Sequence, residues 1–241
     1  MAKLASLKSE TRLLDRRAAD LIRSHILGGV LSAGERLLET QLSEELGVSR
    51  GTVRSALAVL AREGLVQQVA FTRWQVAETS VADAWEVYTL RGALEGLAAR
   101  LAAGNVTLQD GAALKATAAE LSRAIAEQRF EDVTDIDFRL HQEIVALARH
   151  RRLADQHRFI LQQVRFHMVN SGFLPKDYSE LAKEHEALID AVLQQDPDRA
   201  EKLARSHNEA EVELLSRFLE ALSSDPSHRS PEGQPLEKEA S

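Results

Sequence analysis

The chain of 241 residues has 30 Lys and Arg, 37 Asp and Glu, and 44% hydrophobic residues, which is enough apolar content for a sizeable core. It has no cysteine, which excludes disulfide scaffolds, cysteine nucleophiles, iron–sulfur clusters and thiolate zinc sites. Because no apolar run reaches the roughly 18 residues of a membrane span and no apolar leader is visible, we expect a cytoplasmic protein without a membrane anchor.

Charge and proline content divide the chain into segments. Residues 1–78 carry 11 Lys or Arg and 9 Asp or Glu, a net of +2, whereas the remainder has a net of −9. Three of the five prolines fall in the polar segment 223–241. We therefore predict flexible ends at 1–11 and 223–241 and two domains between them, at 12–78 and 79–222.

The first domain is predicted to contain three helices followed by two short strands. Apolar residues recur at helical spacing up to Gly28 and Gly29, and again on both sides of Gly47. From residue 65 onward the apolar pattern is that of strands. The predicted helices cover 13–27, 42–46 and 50–63, and the predicted strands cover 65–69 and 73–76.

Three helices and a two-stranded ribbon are typical of a winged helix-turn-helix. Gly47 supplies the tight turn before the third helix, and Ser49 is its predicted N-cap. Arg50 and Arg54 are four residues apart and share the exposed side of this helix, while its apolar residues lie opposite. A helix that enters the major groove of DNA needs an apolar side that packs in the core and an exposed side that carries residues such as arginine. The alternative is an ordinary solvated helix face, which leaves the turn, the cap and the ribbon unexplained.

Residues 13–78 resemble the winged helix-turn-helix of the GntR transcription regulators. The family's Gly-x-Arg-Leu, Leu-Gly-Val-Ser-Arg, Val-Arg-x-Ala-Leu and Glu-Gly-Leu-Val runs appear at 34–37, 46–50, 53–57 and 63–66. The resemblance implies that double-stranded DNA is contacted by Arg36, Arg50 and Arg54, with Thr52 beside them. Arg73 of the predicted ribbon is a further candidate for contact with DNA.

The sequence departs from the family pattern at three positions. Thr52 replaces the usual proline, and Leu38 stands where a serine usually caps the second helix. Arg73 stands at the wing tip, where the family usually has glycine, and it would reach either the minor groove or a phosphate.

The second domain is predicted to be an all-α antiparallel bundle, so the whole chain is mainly α. Six helices joined by short loops pack naturally in this way. They are predicted at 81–103, 108–128, 131–149, 152–171, 178–194 and 197–221.

Residues of metal-binding type interrupt the apolar stripes of this domain. Asp137 and His141 share one helix face, and His185 and His207 lie in the apolar stripes of two later helices. A buried carboxylate is costly unless it is paired or bound to a cation. One carboxylate and three imidazoles therefore predict a divalent metal site, and the alternative is that each is a satisfied core residue. The other histidines are expected at the surface or at its boundary: His25, His150, His157, His167 and His228.

Residues 81–222 are similar to the FCD effector domain of the same regulators. The resemblance rests on the Asp-x-x-x-His pair and two later histidines, and on Arg91 and Glu95 followed by two alanines. It implies that the metal is zinc, nickel or manganese and forms the floor of a pocket for an acidic effector.

Arg91 lies in an apolar stripe of the first bundle helix, so its guanidinium is expected to point inward and to need an anion. We expect a small carboxylate to bind Arg91 beside the metal, with Arg165 as a second candidate. The alternative is that Arg91 pairs with Glu95 or with another acid of the bundle.

These features together predict a transcription regulator and not an enzyme. Residues 12–78 would bind a palindromic operator as part of a homodimer, and residues 79–222 would bind the effector and dimerise. Whether the effector releases or recruits DNA stays open. The alternative, a hydrolase or lyase that uses the same metal, lacks a His-Glu-x-x-His run, a nucleophile elbow and a phosphate-binding glycine loop, and it leaves the helix-turn-helix unexplained.

Overall fold

The computed structural model describes residues 9–69, 73–173 and 178–224. It confirms the predicted fold class, a winged helix-turn-helix followed by an α-helical bundle. The predicted flexible ends lie largely outside the described residues. The parts of these ends that the structure describes are helical: the first helix begins at Ser9 and the last helix ends at Ser224.

The first three helices form the helix-turn-helix. They are α1 (Ser9–Leu27), α2 (Glu39–Glu45) and α3 (Arg50–Arg62). Gly47 has a φ of +64° in the turn between α2 and α3, a conformation that is costly for a residue with a Cβ. Ser49 caps α3 by accepting a hydrogen bond from the backbone N–H of Thr52 at 3.1 Å. The predicted turn and cap are both present.

A three-stranded antiparallel sheet completes this half. Its strands are β1 (Arg36–Leu37), β2 (Val66–Val69) and β3 (Arg73–Val76), in the order β1-β3-β2. The prediction of two strands missed β1, which pairs Leu37 with Trp74 of β3. A strand of two residues has no periodicity that a sequence pattern can reveal.

The second half contains six helices at the predicted positions. They are α4 (Val81–Asn105), α5 (Leu108–Ala126), α6 (Phe130–Leu147), α7 (Arg151–Ser171), α8 (Tyr178–Leu193) and α9 (Pro197–Ser224). Ser80 caps α4, and Thr107 forms a capping box with Asp110 at the start of α5, so side chains satisfy backbone N–H groups at these helix ends. Within the described residues, no helix is long and apolar enough to cross a membrane.

Helix α7 connects the two halves. Phe166 is 1% exposed and belongs to the apolar core of the winged helix-turn-helix. The side chain of Gln163 donates a hydrogen bond to the backbone carbonyl of Glu63 at 2.8 Å, and the side-chain Oδ1 of Asn170 accepts one from the backbone N–H of Ala33 at 2.9 Å. Gly64 allows this contact, because a Cβ there would lie 2.6 Å from the Gln163 amide nitrogen.

Candidate metal centre and nucleic-acid interface

The exposed side of α3 presents two of the five residues predicted to bind DNA. Arg50 and Arg54 are exposed, while Val53, Leu57 and Leu60 on the other side of α3 are fully buried. A helix with this division can place guanidinium groups in the major groove while its back stays packed in the core.

Arg54 is held in a defined orientation by an acid from the preceding helix. Its Nε and one terminal nitrogen donate to the two carboxylate oxygens of Glu39 at 2.9 and 2.7 Å. The indole N–H of Trp74 donates to the same carboxylate at 3.2 Å. The hydrogen bonds from Arg54 are the main reason that the pKa of Glu39 is lowered.

The other three residues predicted to bind DNA differ in their surroundings. Arg36 on β1 and Arg73 on β3 are exposed. Thr52 is only 5% exposed, and its hydroxyl lies 3.1 Å from that of Ser49. Thr52 is therefore buried and not exposed in the first turn of α3 as expected, since this side chain supports the start of the helix from the inside. Its contact with DNA stays a prediction.

Three imidazoles meet in the bundle at the predicted metal site. His141 of α6, His185 of α8 and His207 of α9 are each at most 5% exposed, and one ring nitrogen of each lies within 4.8 Å of the others. Asp137 of α6 joins them, with its Oδ1 at 3.0 Å from His185 Nε2 and 3.8 Å from His141 Nε2. Metal–nitrogen bonds of about 2.0–2.1 Å place neighbouring ligand atoms about 3–3.5 Å apart. The 3.0 Å spacing between Asp137 and His185 matches this range, whereas the wider spacings would have to shorten when a metal binds.

Hydrogen bonds at the far side of each ring fix which nitrogen faces the cluster. The Nδ1 of His141 lies 3.0 Å from Glu95, that of His185 lies 2.8 Å from the Leu181 carbonyl, and that of His207 lies 2.7 Å from Glu184. Because these oxygens only accept hydrogen bonds, each Nδ1 carries the proton, and a neutral ring turns its Nε2 lone pair toward the others.

This arrangement leaves lone pairs facing one another. The Nε2 atoms of His141 and His185 are 3.1 Å apart, and neither carries a proton when the ring is neutral. Asp137 Oδ1 and His207 Nε2 are buried without a hydrogen-bond partner. Buried polar atoms are normally satisfied, and a divalent cation would satisfy all of them at once.

The electrostatics of the cluster favour positive charge. Burial would raise the pKa of Asp137, but His185 and His141 outweigh burial and lower it. Burial likewise would lower the pKa of His207, but without a bound cation the charge of Glu211 and the hydrogen bond that His207 donates to Glu184 raise it to about 9. The surrounding carboxylates thus attract a cation to this position.

Arg91 points inward as expected, but acids of the bundle already pair with it. It is fully buried, with its Nε 2.8 Å from Glu95 and a terminal nitrogen 2.6 Å from Glu211. The pKa of Glu95 is well below its ordinary value, because Arg91 and His141 outweigh the effect of burial. The other terminal nitrogen of Arg91 is buried without a hydrogen-bond partner.

Arg165 does not join this cluster. Its side chain is 44% exposed and pairs with Asp135 at 2.6 Å, so the expectation that it binds the effector is not supported by its position. Two histidines that were expected at the surface are instead buried: His157 contacts Glu95 at 2.8 Å, and His167 contacts Asp83 at 2.8 Å. His228 lies outside the described residues.

The contacts that Glu95 and Glu184 make with the clustered histidines were missed, because these partners are distant in the sequence. Glu95 contacts Arg91, His141 and His157, and its second oxygen also accepts from the amide of Asn208 at 2.8 Å. Only the contact with Arg91, one helical turn away, has a spacing that a sequence pattern can suggest. The contact between Glu184 and His207 likewise depends on how α8 and α9 pack.

Two family models match the chain and together cover most of it. The model described as "Bacterial regulatory proteins, gntR family" matches residues 14–72, and the FCD domain model matches residues 86–210. The second match alone spans more than half of the chain and contains all four residues of the predicted metal site.

Two curated relatives from Escherichia coli strain K12 align over most of their length. The putative L-lactate dehydrogenase operon regulatory protein is 30% identical over 237 residues, covering 87% of this chain and 89% of the relative. The Glc operon transcriptional activator is 28% identical over 229 residues, covering 83% and 88%. Both relatives are transcription regulators by name.

Solved structures support the same fold. A putative transcriptional regulator GntR from Rhodococcus sp. RHA1 has a TM-score of 0.67 and 22% identity, covering 86% of this chain and 98% of that chain. The Escherichia coli protein McbR/YncC has a TM-score of 0.64 and 21% identity, covering 85% and 97%.

Proposed function

Since this chain belongs to the GntR family of bacterial transcription regulators and carries an FCD domain, we propose that a small carboxylate bound beside a divalent metal controls its affinity for operator DNA. The observation that carries this proposal is the cluster of three inward-facing imidazole nitrogens with Asp137. Such a donor set suits zinc, nickel or manganese.

The effector is proposed to be an anion because the cluster adjoins an arginine with an unused donor. The metal would supply a Lewis-acidic position for a carboxylate oxygen. Arg91 has a buried terminal nitrogen with no hydrogen-bond partner, and a carboxylate that reached it would satisfy that group. The pairing of Arg91 with Glu95 and Glu211 fixes the guanidinium in place for this contact.

Helix α7 is the proposed connection between the effector site and the DNA-binding half. His157 of α7 contacts Glu95, which also contacts the proposed metal ligand His141. Phe166 and Asn170, about two and a half and three and a half turns further along α7, pack on the winged helix-turn-helix. An effector can shift the DNA-binding equilibrium only by binding one arrangement of these parts better than another, and α7 touches both parts.

The regulator is proposed to act as a homodimer on a palindromic operator. One recognition helix reads only a few base pairs, and a two-fold dimer doubles the number of contacts. Residues 79–222 are the proposed dimerisation and effector domain.

We expect Arg50→Ala and Arg54→Ala each to weaken binding to a duplex selected by the wild-type protein from a random pool. Each arginine is proposed to contact a guanine edge, so the loss should be about 5- to 150-fold. Arg62→Ala serves as a matched control, because Arg62 is an exposed arginine at the other end of α3. Equal binding by all three variants and the wild type, measured by fluorescence anisotropy, would contradict this assignment.

We expect a small carboxylate to bind the metal-loaded protein and to change its affinity for the selected duplex. A calorimetric screen of mono- and dicarboxylates should include L-lactate, because a relative is named for an L-lactate dehydrogenase operon. Binding should disappear after the metal is removed and weaken in Arg91→Lys, which keeps the charge but loses the planar fork. Acid binding that survives both changes would rule out the proposed site.

A further inference from the structure

We propose that Glu39 is a positioning residue for operator recognition, which holds Arg54 so that only the outer edge of its guanidinium faces DNA. This inference rests on the proposed role of Arg54 in DNA binding. Glu39 itself would touch no base, but it would determine how selectively Arg54 recognises a base.

The contact between the two side chains occupies one edge of the guanidinium. Arg54 Nε and one terminal nitrogen lie 2.9 and 2.7 Å from the two oxygens of Glu39. A guanidinium has five N–H groups, so three stay available. Two of these lie side by side on the outer edge, and that pair matches the O6 and N7 acceptors of guanine. Arg54 can therefore hold Glu39 and a guanine at the same time.

Glu39 is itself fixed in place by the sheet. The indole N–H of Trp74 donates to its Oε1 at 3.2 Å, and Trp74 is only 8% exposed. Trp74 lies on β3, paired with Leu37 of β1 and Gln68 of β2. A buried ring in the central strand therefore anchors the carboxylate, which in turn anchors an arginine whose side chain is 67% exposed.

The position of Glu39 also favours a carboxylate without help from DNA. Glu39 is the first residue of α2, and the preceding N-cap, Leu38, has no side chain that can accept a hydrogen bond from the helix. A negative charge in the first turn interacts favourably with the helix dipole. The ionised carboxylate is therefore favoured at this position in the free protein, before DNA binds.

The expected consequence is a gain in specificity more than in affinity. An unpaired arginine binds phosphates at any sequence, whereas a pair with Glu39 has no net charge and attracts phosphates weakly. The outer edge still offers two aligned donors to a guanine. Because specificity is a difference between two affinities, Glu39 would raise it mainly by lowering the affinity for unselected DNA.

The test compares two duplexes of equal length, one selected by the wild-type protein and one with its sequence shuffled. In Glu39→Ala we expect the ratio of the two affinities to fall about 10-fold, with equal or tighter binding to the shuffled duplex. Glu44→Ala is the matched control, since it removes an exposed acid from the same helix without touching Arg54. Its ratio should stay at the wild-type value.

A double variant identifies the route of the effect. If Glu39 acts through Arg54, the ratio for Glu39→Ala with Arg54→Ala should equal that for Arg54→Ala alone. Glu39→Gln keeps one acceptor oxygen and the contact with Trp74, so it should restore part of the ratio.

One result would overturn the inference while leaving the recognition helix intact. It is a wild-type ratio in Glu39→Ala when Arg54→Ala loses specificity. A thermal melt of Glu39→Ala shows that the variant compared in this way is folded. If Arg54→Ala itself keeps the wild-type ratio, then the proposed role of the recognition helix fails first.

Discussion

Replacing His185 with alanine is expected to abolish stoichiometric metal binding. His185 Nε2 lies within 3.1 Å of both His141 Nε2 and Asp137 Oδ1. Its loss therefore removes the metal-ligating atom that lies between the other two. Loss of a residue that only supports a metal ligand typically reduces affinity by about 10- to 100-fold, and loss of a ligand should exceed that range. Elemental analysis and calorimetric titration of chelator-treated protein with zinc, nickel and manganese measure the effect.

Two further variants are expected to show a smaller loss of metal affinity and no loss, respectively. Glu184→Ala removes the acceptor of His207 Nδ1 and should weaken metal binding by about 10- to 100-fold. His25→Ala removes an exposed histidine of α1 and should bind metal like the wild type. Since a cation bound only to the folded protein stabilises it by mass action, metal should also raise the melting temperature. The site would be refuted if the wild-type protein bound no metal and its melting temperature did not rise when metal was added.

Arg91→Ala is expected to lower the free energy of unfolding by about 3–5 kcal/mol, because it leaves the buried Glu95 and the partly buried Glu211 without their cation. Glu95 and Glu211 both pair with this guanidinium, at 2.8 and 2.6 Å. Glu95 is almost fully buried, so water cannot take over the lost interaction. Urea unfolding of the full chain measures the difference.

Arg100→Ala is the matched control for this effect. Arg100 lies on the same helix, α4, and pairs with Asp198 and Glu201 of α9, but its side chain is 44% exposed. Exposed ion pairs contribute little to stability, so this variant should unfold nearly like the wild type. Arg91→Lys keeps the charge and should fall between the two. Equal destabilisation by Arg91→Ala and Arg100→Ala would show that burial does not set the cost.

Local signals in the sequence predicted most of the helices. Ser49, Ser80 and Thr107 each accept a hydrogen bond at the start of a helix, and such residues can be identified from the sequence because capping depends on neighbours only a few residues away. Strand β1 was missed, because it forms only when β3 is present to pair with it.

The proposed metal ligands could also be predicted, since a histidine in an apolar stripe is conspicuous. Their supporting residues could not. Glu184 follows the ordinary pattern of an exposed helix face, and only the packing of α8 against α9 brings it to His207. The exposure of Thr52 was wrongly predicted, because its position in the first turn of α3 suggested an exposed side chain while the hydroxyl lies 3.1 Å from that of Ser49.

Phe166 limits how the two halves of this protein can be recombined. Its ring belongs to a helix of the bundle, yet it fills space in the core of the winged helix-turn-helix. A fragment that ended before α4 would leave this space open to water and the carbonyl of Glu63 without its partner, Gln163. In a hybrid regulator built by exchanging DNA-reading halves at the linker, the incoming half would have to match the α7 surface of its host.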